Sequence, residues 1–145
     1  MKALIRRVVT DWHFWAAVLL GPIVWLGLWW VTGKPVPNGA AISVLLTGVI
    51  LYPVIEELAF RGFIQTRLLE KSIFRSTLFL KITYANIVTS FLFASFHLFN
   101  QPPLWAALIF FPSLVFGYLR DRYDAVAPSA VLHAWYNLGF LLLVS

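Results

Sequence analysis

The chain of 145 residues is 61% hydrophobic and only 12% charged, with a mean hydropathy of +0.83; soluble domains carry about 25% charged residues, so a soluble globular fold is excluded. The net charge of +5 does not mark a nucleic-acid binder, because the basic residues track the ends of apolar runs and form no aromatic-interleaved patch. With no cysteine there is no disulfide framework, thiol nucleophile or thiolate metal site.

Crossing about 30 Å of hydrocarbon at 1.5 Å per residue takes roughly 20 apolar residues. Runs of that order occupy residues 12–31, 40–62, 82–100, 103–119 and 125–144. Helix is the state consistent with such continuous runs, since barrel strands would alternate over about 10 residues. The expected fold is an all-α integral membrane protein with about five transmembrane helices in one bundle, a single membrane domain over residues 1–145 without internal repeats. Lys2, Arg6 and Arg7 precede the first run, which ends in Trp25, Trp29 and Trp30. A cleavable signal has an apolar core of about 7 to 15 residues and a small-residue cleavage site, so this run reads as an uncleaved span. The breaks carry turn chemistry: Thr-Gly-Lys-Pro-Val-Pro-Asn-Gly from Thr32, Asn-Gln-Pro-Pro from Asn100, and the charged stretch 120–124. Ten of the eleven Lys and Arg, Arg61 among them, fall on one side of this arrangement and Lys34 on the other. The positive-inside rule then predicts a multi-pass protein of the cell inner (cytoplasmic) membrane, N-terminus cytoplasmic and C-terminus outside. A basic face beside anionic lipid accounts for the net charge.

Glu56 and Glu57 end the apolar run that begins at Gly39, and ionisable groups at such depth are a functional-site hypothesis by default. Glu57 and Arg61 are four apart and share a helix face that favours an ion pair. Glu56 points about 100° away, which leaves it as the carboxylate for general-base work; a purely structural polar cluster is the alternative. His97 closes the third run beside Asn100 and Pro102, where a satisfied boundary histidine is the plain reading. His133 and Asn137, four apart on the last run, present two donors suited to a developing oxyanion, or to hydrogen bonding between membrane helices. His13, beside Asp11 and Trp12, reads as interfacial. Together these groups make a hydrolase constellation for acyl transfer without an activated Ser or Cys. A zinc version would use His97, His133 and a glutamate, although no His-Glu-x-x-His helix is present.

Glu56-Glu57-Leu-Ala-Phe-Arg61, Phe93-Ala-Ser-Phe-His97 and His133-Ala-Trp-Tyr-Asn137 resemble, in order and spacing, the Glu-Glu-x-x-x-Arg, Phe-x-x-x-His and His-x-x-x-Asn motifs of the CAAX prenyl protease and bacteriocin-processing (CPBP, or Abi) intramembrane endopeptidases. The resemblance covers roughly residues 50–141, and Phe116-Gly-Tyr-Leu-Arg-Asp-Arg is similar to the family's connecting segment. It implies a glutamic-type, metal-independent hydrolase without cofactor, zinc being the alternative. In it Glu56 and His97 polarise water, His133 and Asn137 stabilise the oxyanion, and Glu57 and Arg61 support them. With one span before the first motif helix, the chain resembles small bacterial members, and the implied substrate is a membrane-associated peptide or protein with a C-terminal processing or sorting signal.

Counting from the loops at 1.5 Å per residue puts Glu56 in the inner part of its helix and His97 near the outer end of its own. A shared water needs them closer. Continuation of the second helix to about Leu69, or a dip of residues 100–103 into a cavity, would supply the closure. The competing functions are a noncatalytic binding or immunity protein and a proton or ion transporter using buried Glu and His as a relay.

Overall fold

Helices occupy all five places where apolar runs predict them, and two short ones are added. The computed structural model describes residues 1–33 and 41–143; Lys34 and most of the Pro-Val-Pro turn, with Val144 and Ser145, lie outside the described residues. Helix α1 is Lys2–Val9. At 100° per residue it sets Leu4, Ile5 and Val8 opposite Lys2, Arg6 and Arg7, and with 8 residues it is too short to span a bilayer. Helix α2, Trp12–Thr32, is capped by Asp11, whose carboxylate accepts from the His13 N–H at 3.0 Å. It stops at Gly33, where φ of 60° suits a residue without Cβ and the N–H closes on Trp29 O. Helix α3 runs from Ile42 to Leu69 and contains two π-helical stretches, Leu46–Leu51 and Leu58–Gln65. Helix α4 is Ser72–Arg75; α5 is Tyr84–Phe96, tightened at its end into a 3-10 turn at His97–Phe99. Helix α6 is Pro103–Tyr123 and α7 is Ala127–Leu143.

The protein is an all-α membrane protein. Helices α2, α3 and α6 are long and apolar enough to cross a bilayer, whereas Tyr84–Phe99 is a shorter apolar helix and α7 has 17 residues. Among the described residues, three of the five expected spans therefore reach full crossing length. Two expected ends were set too early. The second helix continues through Arg61 to Leu69 and the fourth through Arg120 to Tyr123, because these charges are bonded inside the protein and do not mark a solvated loop. Asp124, at φ 51°, ends α6.

The chain divides into two compact units. One comprises residues 1–55 and 130–145, and its core is aromatic. Trp25 packs edge-on to Trp135 with centroids 5.0 Å apart. Trp135 Nε1 donates to Val18 O at 3.0 Å and the Tyr136 hydroxyl to Ala17 O at 2.7 Å, so both aromatic residues of α7 bond backbone carbonyls of α2. Close approach needs Gly139: a Cβ there would sit 2.1 Å from the Trp25 ring. Gly21 faces the same aromatic cluster, whereas Gly27 has nothing within 4 Å.

The second unit, residues 56–129, is polar inside and apolar outside. Glu57, Arg61, Gln65, Asn86, Thr89, Ser90 and Ser113 are all buried, while Leu58, Phe63, Phe91 and Phe111 are exposed. Lipid tails accept that exterior, and the buried polar groups must bond to one another. All but the Thr89 hydroxyl do so, chiefly around α6. Asn86 Nδ2 donates to Leu114 O at 2.9 Å and its Oδ1 accepts from Ser90. Gln65 Nε2 donates to Gly117 O and to Asp121 Oδ1, and Thr83 Oγ1 donates to Asp121 Oδ2 at 2.7 Å. Arg120 reaches Thr66 Oγ1 at 2.9 Å. Gly117 is the contact point, since a Cβ there would lie 1.9 Å from Asn86 Oδ1.

Candidate active site

Glu57, Arg61 and Gln65, each four residues after the last, are all fully buried. In α-geometry such a series drifts around the helix. The π-helical stretch Leu58–Gln65 widens the turn beyond 3.6 residues and holds the three in line. Arg61 Nη1 donates to Glu57 Oε1 at 2.9 Å, the pairing that the four-residue spacing predicts. Its Nη2 donates to Ser113 O at 2.9 Å and Ser113 Oγ at 2.5 Å, and the guanidinium lies over Phe93, 4.5 Å from the ring centroid, with Phe116 at 5.5 Å. Glu56 also interacts electrostatically with Arg61, so it does not stand apart from the cation as the 100° offset suggests. Arg61 is sealed in the protein and is not a surface cation.

Phe93 joins the first two motifs. One face carries the Arg61 cation, and the His97 ring lies 4.6 Å away, one helical turn on. His97 Nδ1 bonds Phe93 O at 2.8 Å. A carbonyl can only accept, so Nδ1 carries the proton, and in the neutral ring Nε2 is the acceptor. The 3-10 turn at His97–Phe99, closed by Asn100 N and Gln101 N on His97 O, ends the helix just past this ring.

Contacts between α3 and α5 fix the relative direction of the two helices. Gln65 shares Asp121 with Thr83, while Arg61 and Phe60 meet Phe93, the Phe60 ring at 5.0 Å. Earlier positions on α3 thus meet later ones on α5, so the two helices are antiparallel. One turn back from Phe60 is Glu56, and one turn on from Phe93 is His97. The extension of α3 to Leu69, one of the two expected routes to closure, is present.

The other two motif residues belong to the first unit. His133 is buried on α7 and Asn137 follows on the same face. Asn137 Nδ2 donates to Gly48 O at 2.9 Å, a carbonyl within the π-helical stretch Leu46–Leu51, where the i→i+4 ladder is interrupted. This bond uses one of the two amide N–H groups and orients the side chain. His13, as its position implies, is bonded to Asp11 at 3.0 Å and stacked on Trp12. Among the described residues no group of three or more His, Asp or Glu is placed to hold a metal ion.

Gln65, Ser113 and Asn86 escape a reading based on charged residues. Their signals are present: Gln65 continues the four-residue series from Glu57, and Ser113 and Asn86 are polar positions inside apolar runs, which membrane proteins keep for contacts between helices.

No curated protein matches the chain, and no solved structure does. A protein-family model described as Type II CAAX prenyl endopeptidase Rce1-like matches residues 37–139, a stretch that contains all three motifs. The chain, which carries an Arg-clamped glutamate pair, a tautomer-locked histidine and a His/Asn pair in that order, belongs to the family of type II CAAX prenyl endopeptidases.

Proposed function

We propose that the protein is an intramembrane endopeptidase that hydrolyses a peptide bond near the C-terminus of a membrane-associated substrate. Glu56 and His97 activate the water, and His133 and Asn137 hold the oxyanion. Family membership supplies the coarse activity, that of a CAAX-type protease. The observation that best supports the finer reading is the Nδ1 bond of His97 to Phe93 O, which leaves Nε2 as the basic nitrogen of the ring.

In this mechanism a water molecule, held by Glu56 and His97 Nε2, gives a proton to Glu56 as its oxygen adds to the scissile carbonyl. The negative charge that develops on the carbonyl oxygen is met by the second N–H of Asn137 and by His133. When the C–N bond breaks, the proton passes from Glu56 to the departing amine. Glu57 does not enter these steps; paired with Arg61, it fixes the helix turn that carries Glu56. No step runs through a metal ion, and activity that survives a chelator is the expected result. The inner membrane, with a cytoplasmic N-terminus, is the proposed location, supported by the bias of Lys and Arg in the sequence toward the segments on one side of the apolar runs.

Mass spectrometry of membrane proteins from cells with the chain, without it, and with Glu56→Gln tests the reading. The expected result is one shifted C-terminus that requires Glu56. A terminus that still shifts with Glu56→Gln would sink the mechanism; no shifted terminus, with Glu56-dependent flux in liposomes, would make the chain a transporter.

A further inference from the structure

Between α3 and α5 the chain makes a tight hairpin with an unusual tip. Thr77 and Thr83 pair as an isolated antiparallel bridge. Leu78 N donates to Ile82 O and Ile82 N to Phe79 O, each at 2.9 Å, and Tyr84 N to Ser76 O at 3.0 Å. The tip is therefore a bonded structure. Within it Leu80 and Lys81 stand at φ of 49° and 62°, a left-handed pair that loops ordinarily give to Gly, Asn or Asp. The conformation turns three successive apolar side chains outward: Leu78, Phe79 and Leu80 are 66–70% exposed, as is Ile73 at 70%. Lys71, Arg75 and Lys81 are exposed around them, with Arg75 Nε bonded to Leu69 O.

An apolar tip of this kind in water is a liability, and a solvated turn gains nothing by straining two L-residues to display it. Its position identifies the occupant. The hairpin leaves the end of a membrane-crossing helix and leads directly into an apolar one, so lipid is the phase next to it, and its three cations complement a negatively charged leaflet.

We propose that the hairpin at residues 77–83 is a lipid-binding element, in which Leu78, Phe79 and Leu80 enter the headgroup region of an anionic leaflet while Lys71, Arg75 and Lys81 bind phospholipid phosphates. It fixes the depth and tilt of α3 and α5. The inference does not rest on the protease reading.

The chain lacks cysteine, so Phe79→Cys gives a single site for a nitroxide label in the otherwise intact protein. It is reconstituted in vesicles of phosphatidylcholine alone and of phosphatidylcholine with phosphatidylglycerol. Expected in the anionic vesicles is a label reached by oxygen and shielded from a water-soluble nickel chelate, more so than in neutral ones. Replacing Lys71, Arg75 and Lys81 with Gln lowers the inserted-to-exposed ratio by about a hundredfold, each cation near an anionic surface contributing roughly fivefold. A label on Phe91→Cys, exposed on α5, reports that the fold is intact in both chains. Equal nickel accessibility in both vesicle types, or shielding unchanged by the three Gln substitutions, overturns the proposal; so does a label shielded only after a soluble protein is added.

Discussion

Removing Arg61 should cost far more than the worth of its ion pair. At 2.9 Å between Nη1 and Oε1 the gross attraction is about 6 kcal/mol at an effective dielectric constant of about 20. Taking both groups out of water costs several kcal/mol per ion, so the assembled pair comes out near neutral. Arg61→Met leaves the Glu57 carboxylate at 0% exposure without its donor, and the expected loss is about 3–5 kcal/mol. Glu57→Gln should be milder, about 2 kcal/mol, because Arg61 keeps both bonds to Ser113 and its interaction with Glu56. The double variant Glu57→Gln/Arg61→Met removes both charges and should recover at least about 2 kcal/mol relative to Arg61→Met alone. The assay is detergent-induced unfolding in mixed micelles, followed by the fluorescence of the seven tryptophans. A cost for Arg61→Met below about 1 kcal/mol, or strict additivity of the two single changes, would refute the buried-clamp argument.

Gly117→Ala forces Asn86 out of its bonds to Leu114 O and Ser90 and should destabilise by about 2–4 kcal/mol; combining it with Asn86→Ala should cost less than the sum of the two in the same unfolding assay. Gly139→Ala drives a methyl into the Trp25 ring and should cost about 1–3 kcal/mol, whereas Gly27→Ala, with open space around it, should stabilise α2 by up to about 1 kcal/mol. Phe93→Leu removes the ring between Arg61 and His97 and should lower kcat for peptide cleavage about tenfold with KM unchanged, a cation–π contact of this kind contributing about 0.5–2 kcal/mol; Phe93→Tyr should retain most of the rate.

The helices and the order of the motifs were legible because both follow from spacing: apolar runs of span length, and Glu57/Arg61 and His133/Asn137 at four-residue intervals. Helix ends were harder. Counting apolar residues stops at Arg61 or Arg120, and only the fold reveals that Ser113, Thr66 and the neighbouring carboxylates absorb those charges. The polar face of α6 was hidden for a related reason, since its acceptors are largely the backbone carbonyls of residues 113, 114 and 117, and every residue type has one. Gln65 was missed because a 3.6-residue period places it off the line through Glu57 and Arg61. The wide turns of α3 have no compositional signature.

Those wide turns give α3 a dependence on chain length that side-chain chemistry does not capture. Each behaves like an extra residue spliced into an ordinary helix. Excising one residue from Leu58–Gln65 would let the coil close as regular α-structure with everything beyond the splice still facing as before, whereas the same deletion in a regular α-helical stretch such as α6 would swing all that follows by about 100°. The wide turn works as a slack link, and a single-residue deletion there should harm the fold less than one in α6.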